Sequence, residues 1–323
     1  MAGAPPLTRL GLQIPNFTFP GVADADLFET IAGIATTAEG HGFDSLWVMD
    51  HLYQIEMVGP KEHPMLEAYT LLGALAARTK RLGLGTMVTG VTYRNPALLA
   101  KIVTTLDVIS SGRAILGIGA AWNDDEHAGY GFDFPPVKER MDRLEEALQI
   151  IRAMFSEQAP SFEGRYYRIQ QVLNNPKPIR GRIPILIGGS GEKRTLRLVA
   201  QYGDACNIFG DPDTVRHKIE VLERHCADVG RDPAEITRTA LQSVIVRPTA
   251  AEAEKALEAY AAARGTVPDR VRAFLTVGDP RTVTERMAAY REVGVDGMVV
   301  NLPEVADLDA VALAGETLGS VFG

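Results

Sequence analysis

The chain is most constrained by its repeated use of short, largely apolar segments in which apolar and polar residues do not alternate. Leu10–Ile14 and residues 45–49, 185–187, 205–209 and 297–300 are of this kind. A strand with one face in water alternates apolar and polar side chains, whereas a strand covered on both faces has no need to. Between these segments run stretches with helical spacing. Leu27, Ile31 and Ile34 share one face of residues 26–39, and Leu144, Leu148 and Ile151 share one face of residues 139–155. Further helices are expected over 66–78, 97–109, 192–202 and 308–318. Buried strands joined by crossover helices make a parallel sheet. Because the alternation never breaks into halves, the expected fold is a single α/β domain: a (β/α)8 TIM barrel with an inserted segment near residues 156–182. Residues 239–246 and 273–276 bring the strand candidates to one more than such a ring holds. Residues 273–276 are the ones expected outside it.

The runs 81–90 and 113–123 are apolar, rich in glycine and each followed by a polar loop. Glycine at a strand end lets a backbone come close to a ligand, so this pair is the candidate wall of a cofactor pocket. In a barrel all C-terminal strand ends open on one rim. Asn16, Asp50, His51, Met87 to Gly90, Ala120 to Asn123, Gly188 to Gly191 and Asn207 are therefore expected to converge there.

Gly188, Gly189, Ser190 and Gly191 lie between a strand and a helix. They can be read as an ordinary tight turn, or as free amides that bind phosphate, with Lys193, Arg194 and Arg197 just beyond. The spacing is not a dinucleotide fingerprint. His51 can be a loop histidine or a proton carrier beside a pocket. Trp122 can be core, or the wall of a pocket for a flat ligand. Asp124, Asp125, Glu126 and His127 hint at metal, but carboxylates opening a helix are more commonly partners of its dipole, so no metal site is assigned.

Charge and cysteines narrow the partners. With 33 basic and 41 acidic side chains, a formal −8, the chain is poorly suited to nucleic acid or an anionic membrane. Cys206 and Cys226 show no zinc or redox spacing, Met1 to Pro6 show no signal-peptide pattern, and no apolar run is long enough to cross a bilayer. A cytoplasmic protein acting on a small-molecule substrate is expected.

Residues 45–51, the run 82–96, Gly117 to Asn123 with Glu126, and residues 187–191 followed by Gly203 and Asp204 together resemble the luciferase-like monooxygenase superfamily. Within it they are most similar to the branch that uses the deazaflavin coenzyme F420, and the likeness covers nearly the whole chain. The resemblance implies a barrel with an inserted segment over its mouth and a tricyclic ring across the third and fourth strands. It also implies a non-proline cis peptide at Met87 and Val88 backing that ring. The cofactor phosphate would lie on Gly188, Gly189, Ser190, Gly191 and Glu192. Asp50 and His51 would stand near the reactive edge of the ring, and the Ala120 and Ala121 backbone would touch it. Trp122 stands where the sugar-phosphate dehydrogenase branch has a glutamate used in proton transfer, so that activity is not carried over. An F420-dependent oxidoreductase with His51 as catalytic group and Trp122 in the substrate pocket is the first expectation. An FMN-dependent flavin monooxygenase is the alternative, and a non-catalytic flavin-binding barrel or a metal hydrolase are outsiders. A homodimer is expected from the same resemblance.

Overall fold

A computed structural model of the chain describes residues 7–323. The signal-peptide reading of Met1 to Pro6 falls outside them. Eight strands close a parallel ring: β1 (Leu10–Ile14), β2 (Ser45–Val48), β3 (Gly83–Thr86), β4 (Ala114–Gly119), β5 (Ile185–Gly188), β6 (Ala205–Ile208), β7 (Thr237–Val246) and β8 (Gly297–Asn301). Each pairs with the next, and β8 pairs with β1 in the register Gln13 to Asn301.

Two cores follow from the period of two along each strand. Leu10, Leu12 and Ile14 of β1 join the large apolar layer shared with the surrounding helices. Trp47, Met87, Ile115, Leu186, Ala205 and Val299 fill the interior of the ring. Burying both sets explains why the strand segments lack polar alternation.

Leu275–Gly278 pairs only with β7 and stands outside the ring, as the sequence led us to expect of that region. It belongs to a smaller unit with helix Ala250–Ala263, cored by Ile245, Leu257 and Val277. Arg264 of this unit donates to the carbonyls of Met57 and Val58, tying it to the loop that follows β2.

Three expectations are corrected. The run 81–90 is not one strand: it breaks at Met87 and Val88 into β3 and the short strand Thr89–Gly90, and both pieces pair with β4. The helix expected from Glu192 begins at Thr195, because the Glu192 carboxylate turns to His217 and Lys218 and its carbonyl accepts from His225. The segment 156–182 does not cover the mouth. It follows a helix and precedes a strand, which places it on the flank and toward the opposite rim. There Glu146 accepts from the amides of Arg165, Tyr166 and Tyr167, and Asn174 donates to Thr104 and the Met154 carbonyl. No helix among the described residues is long and apolar enough to cross a membrane.

Candidate active site

The site is organised by one buried carboxylate. Helix Asp124–Tyr130 follows β4, with Asp124, Asp125 and Glu126 in its first turn, where negative charge suits the helix dipole. Glu126 is fully buried and turns toward the end of β2. It accepts from His51 Nδ1 at 2.7 Å, from the amides of Leu52 and Tyr53 at 2.7 and 3.2 Å, and from the Tyr93 hydroxyl. Burial pushes its pKa up, but the bonds from His51, Tyr93 and Leu52 outweigh that and hold it below the ordinary carboxylate value. An ionised carboxylate can only accept, so His51 carries its hydrogen on Nδ1 and leaves Nε2 free for chemistry. Burial first, and then the same carboxylate, push the Tyr93 hydroxyl up and keep it protonated.

This arrangement has an acid-range consequence. Between its depressed native value and 4.5, Glu126 binds fewer protons folded than unfolded, so its stabilisation is complete above 4.5 and is lost as pH falls through the native value. Melting curves of wild type and Glu126→Gln should therefore show a gap that is constant near neutrality and closes in acid.

Beside it, Asp50 and Arg94 form a bidentate pair with contacts of 2.6 and 3.0 Å, and Arg94 also reaches Glu67 at 2.6 Å. The Arg94 guanidinium lies 4.9 Å from the Tyr69 ring centroid, and Tyr69 donates to or accepts from Thr89 at 2.7 Å. Burial raises the Asp50 carboxyl against the pull of Arg94. For Arg94, burial opposes the charge, yet Asp50 and Glu67 hold its pKa above the ordinary value.

The peptide bond between Met87 and Val88 is cis. The Met87 carbonyl accepts from Gln13 Nε2 at 3.4 Å. The strand-end glycines have a reason the sequence did not disclose: they make room for this chain. A Cβ on Gly188 would stand 2.8 Å from Val88, one on Gly119 3.0 Å from it, and one on Gly117 1.8 Å from the Thr86 carbonyl oxygen. Ala121 adopts a left-handed φ of 61°, which costs a residue with a Cβ about 1–2 kcal/mol. Trp122 is 55% exposed at the rim, its ring edge-on to His51 with centroids 5.3 Å apart.

Facing the interior, three carboxamide oxygens lack partners among the described residues: Gln13 Oε1, Asn207 Oδ1 and Asn301 Oδ1. The Asn207 orientation is fixed by a chain, since its Nδ2 donates to Thr239 Oγ1 and that hydroxyl donates to the Cys206 carbonyl. An unpaired buried acceptor costs about 1–3 kcal/mol, which a ligand with N–H or O–H groups would relieve.

Asp50, His51, Met87, Val88, Ala120, Ala121, Trp122 and the turn from Gly188 to Gly191 all follow C-terminal ends of parallel strands and so share one rim. Gly189 has φ of 104° there, a backbone conformation that favours glycine. The Glu192 side chain is instead engaged by Lys218 and His217. His127 is buried and committed, with Nδ1 on the Asn123 carbonyl and Nε2 on the Thr92 hydroxyl. Among the described residues no three His, Cys, Asp or Glu side chains are grouped to hold a metal. Sequence reasoning missed Tyr93, Arg94 and Gln13 and did not pair Glu126 with His51. The one available signal was that four polar residues, Thr92 to Asn95, follow the glycine-rich run after Val91.

An α/β barrel with an ionised histidine partner and a polar floor at its strand ends is the architecture of a barrel enzyme working at that rim. The chain belongs to the luciferase-like monooxygenase family, whose profile matches residues 8–297. It is 30% identical over 217 residues to an uncharacterised Mycobacterium tuberculosis protein, covering 63% of this chain and 76% of that one. It is 34% identical over 237 residues to the phthiodiolone/phenolphthiodiolone dimycocerosates ketoreductase of the same organism, covering 67% of this chain and 61% of the relative. Two solved structures share the fold. An F420-dependent secondary alcohol dehydrogenase superposes with a TM-score of 0.80 at 23% identity, over 97% of this chain and 99% of the other. The oxygenating constituent of 3,6-diketocamphane monooxygenase of Pseudomonas putida, bound to FMN, superposes with a TM-score of 0.77 at 20% identity, over 98% and 99%.

Proposed function

We propose that the protein is an F420-dependent oxidoreductase that interconverts a small organic carbonyl compound and its alcohol. The observation that carries this is the His51 and Glu126 couple, which leaves one imidazole nitrogen free at the rim. The mycobacterial relative named as a ketoreductase supports the carbonyl class.

The residues present fit a flat ring with an anionic tail. The unpartnered oxygens of Gln13, Asn207 and Asn301 would receive ring or substrate hydrogens, and the turn from Gly188 to Gly191 would take the phosphate. When bound, F420 supplies a carbon that accepts or gives a hydride. The chain's own task is the proton. His51 Nε2 takes it from an alcohol oxygen or returns it to a carbonyl oxygen, while Glu126 holds the ring and offsets the imidazolium charge. Asp50, neutralised by Arg94, keeps a second negative charge from acting on His51.

Titration of cofactor-free protein with F420 and with FMN tests the reading. F420 is expected to bind the more tightly, and His51→Ala should lower hydride transfer by about tenfold or more while leaving F420 affinity nearly unchanged. Tight FMN binding without F420 binding, with oxygen consumed by the reduced protein, would instead establish the FMN monooxygenase alternative.

A further inference from the structure

We infer that Tyr93 is a positioning residue: by sharing one oxygen of Glu126 with His51, its hydroxyl sets how firmly the carboxylate holds the imidazolium, and so how readily His51 returns its proton. The inference rests on the proposed function, in which His51 carries that proton, and adds a residue that acts only through Glu126.

The donors to Glu126 divide evenly between its two oxygens. The amides of Leu52 and Tyr53 go to Oε2, whereas His51 Nδ1 and the Tyr93 hydroxyl both go to Oε1. Backbone fixes the first pair, so only Oε1 carries a division that side chains decide. An ionised carboxylate oxygen offers two lone-pair sites. A donor on one of them stabilises charge that the other donor would otherwise meet in full, so each bond to Oε1 weakens its neighbour.

The hydroxyl is held in place for this. Tyr93 N donates to the Gly90 carbonyl at 3.1 Å, and a Cβ on Gly90 would stand 2.8 Å from the Tyr93 ring, so the glycine leaves the space that the ring fills. The ring stacks on His127, with centroids 4.8 Å apart and planes 27° apart. His127 is itself pinned at both nitrogens, by Thr92 and by the Asn123 carbonyl. The other ionisable groups around the couple are engaged elsewhere or exposed. Asp50 is paired with Arg94, which also reaches Glu67 and lies over Tyr69. Asp125 is paired with Lys61, Asp124 is exposed, and the Tyr53 ring packs on Tyr130. None of these side chains bonds to Glu126. Phenylalanine at position 93 would keep the packing and remove the one donor. His51 would then be alone on Oε1 and its imidazolium held more firmly, so that alcohol oxidation would need a higher pH and carbonyl reduction would extend to one.

The test follows the His51 ring by proton and nitrogen-15 NMR across pH in three cofactor-free proteins: wild type, Tyr93→Phe, and wild type grown with 3-fluorotyrosine, whose more acidic hydroxyl donates more strongly. In Tyr93→Phe the Nδ1 proton should move downfield, and the pH midpoint of the ring resonances should rise by about half a unit, roughly threefold in proton affinity. The fluorinated protein should move both the opposite way. A structural role for Tyr93 would leave Tyr93→Phe like wild type, because the ring remains. Resonances unchanged in Tyr93→Phe, or moved in the same direction in both proteins, would overturn the inference while leaving F420 binding and the role of His51 intact. Failure of F420 to bind, or wild-type hydride transfer by His51→Ala, would overturn the proposed function and with it the part of Tyr93 in the reaction, whatever the resonances show.

Discussion

Arg94→Met is expected to lower the stability of the protein by about 3–5 kcal/mol, the range seen when one member of a buried ion pair is removed. The side chains of Asp50 and Arg94 are 1% and 12% exposed, so water cannot replace the lost guanidinium. The deficit should also depend on pH in a stated direction. Without Arg94 to oppose it, burial, joined by the nearby Glu67 charge and opposed only by a Thr89 hydrogen bond, raises the Asp50 carboxyl pKa further. A carboxyl raised in the folded state binds more protons folded than unfolded, so its favourable contribution is present at low pH and is lost as pH rises through the native value. Urea unfolding of the variant should therefore show a smaller deficit near pH 4 than near pH 7, and Asp50→Asn added to Arg94→Met should recover much of it. A deficit below about 1 kcal/mol, the worth of an exposed pair, would show that the contact does not act as a buried one.

What the sequence could and could not disclose follows the same division between near and far. The eight ring strands and the outlying Leu275–Gly278 were legible because burial on both faces leaves a mark within each segment. The placement of Asp50 and His51 at the rim followed from the barrel rule alone. Glu126 lies 75 residues from His51, and Arg94 lies 44 from Asp50. No local pattern encodes such pairs. Helix Asp124–Tyr130 advertised only its dipole-compatible acids, and nothing in Asp124, Asp125 and Glu126 marks the third as the one that turns inward. The glycines were legible as a feature but not in cause. Their spacing fitted a close approach to a ligand, while the atoms nearest to Gly117, Gly119 and Gly188 include those of Thr86 and Val88. The break of the run 81–90 at Met87 and Val88 left no mark in β propensity, which continues unbroken across it, and only the family resemblance pointed to the cis peptide found there.

A large functional effect, no greater than that of removing His51 itself, is expected from Glu126→Gln, which keeps size and removes charge. A glutamine side chain presents an NH2 group where the carboxylate accepted, and His51 Nδ1 must then accept in place of donating. Its hydrogen moves to Nε2, the nitrogen required to be free. Turnover should fall by roughly 100-fold or more, as when the orienting carboxylate of a catalytic histidine is replaced by its amide. Cofactor affinity should be nearly unchanged, because Glu126 reaches no residue of the Gly188 to Gly191 turn. Tyr93→Phe removes one donor to the same carboxylate and should have a smaller effect, since His51, Leu52 and Tyr53 still hold it. Nitrogen-15 NMR of the His51 ring separates this account from simple loss of structure. The hydrogen should reside on Nδ1 in wild type and in Tyr93→Phe, and on Nε2 in Glu126→Gln. Wild-type turnover in Glu126→Gln, or an unchanged ring hydrogen beside lowered turnover, would mean that the carboxylate does not act through the imidazole.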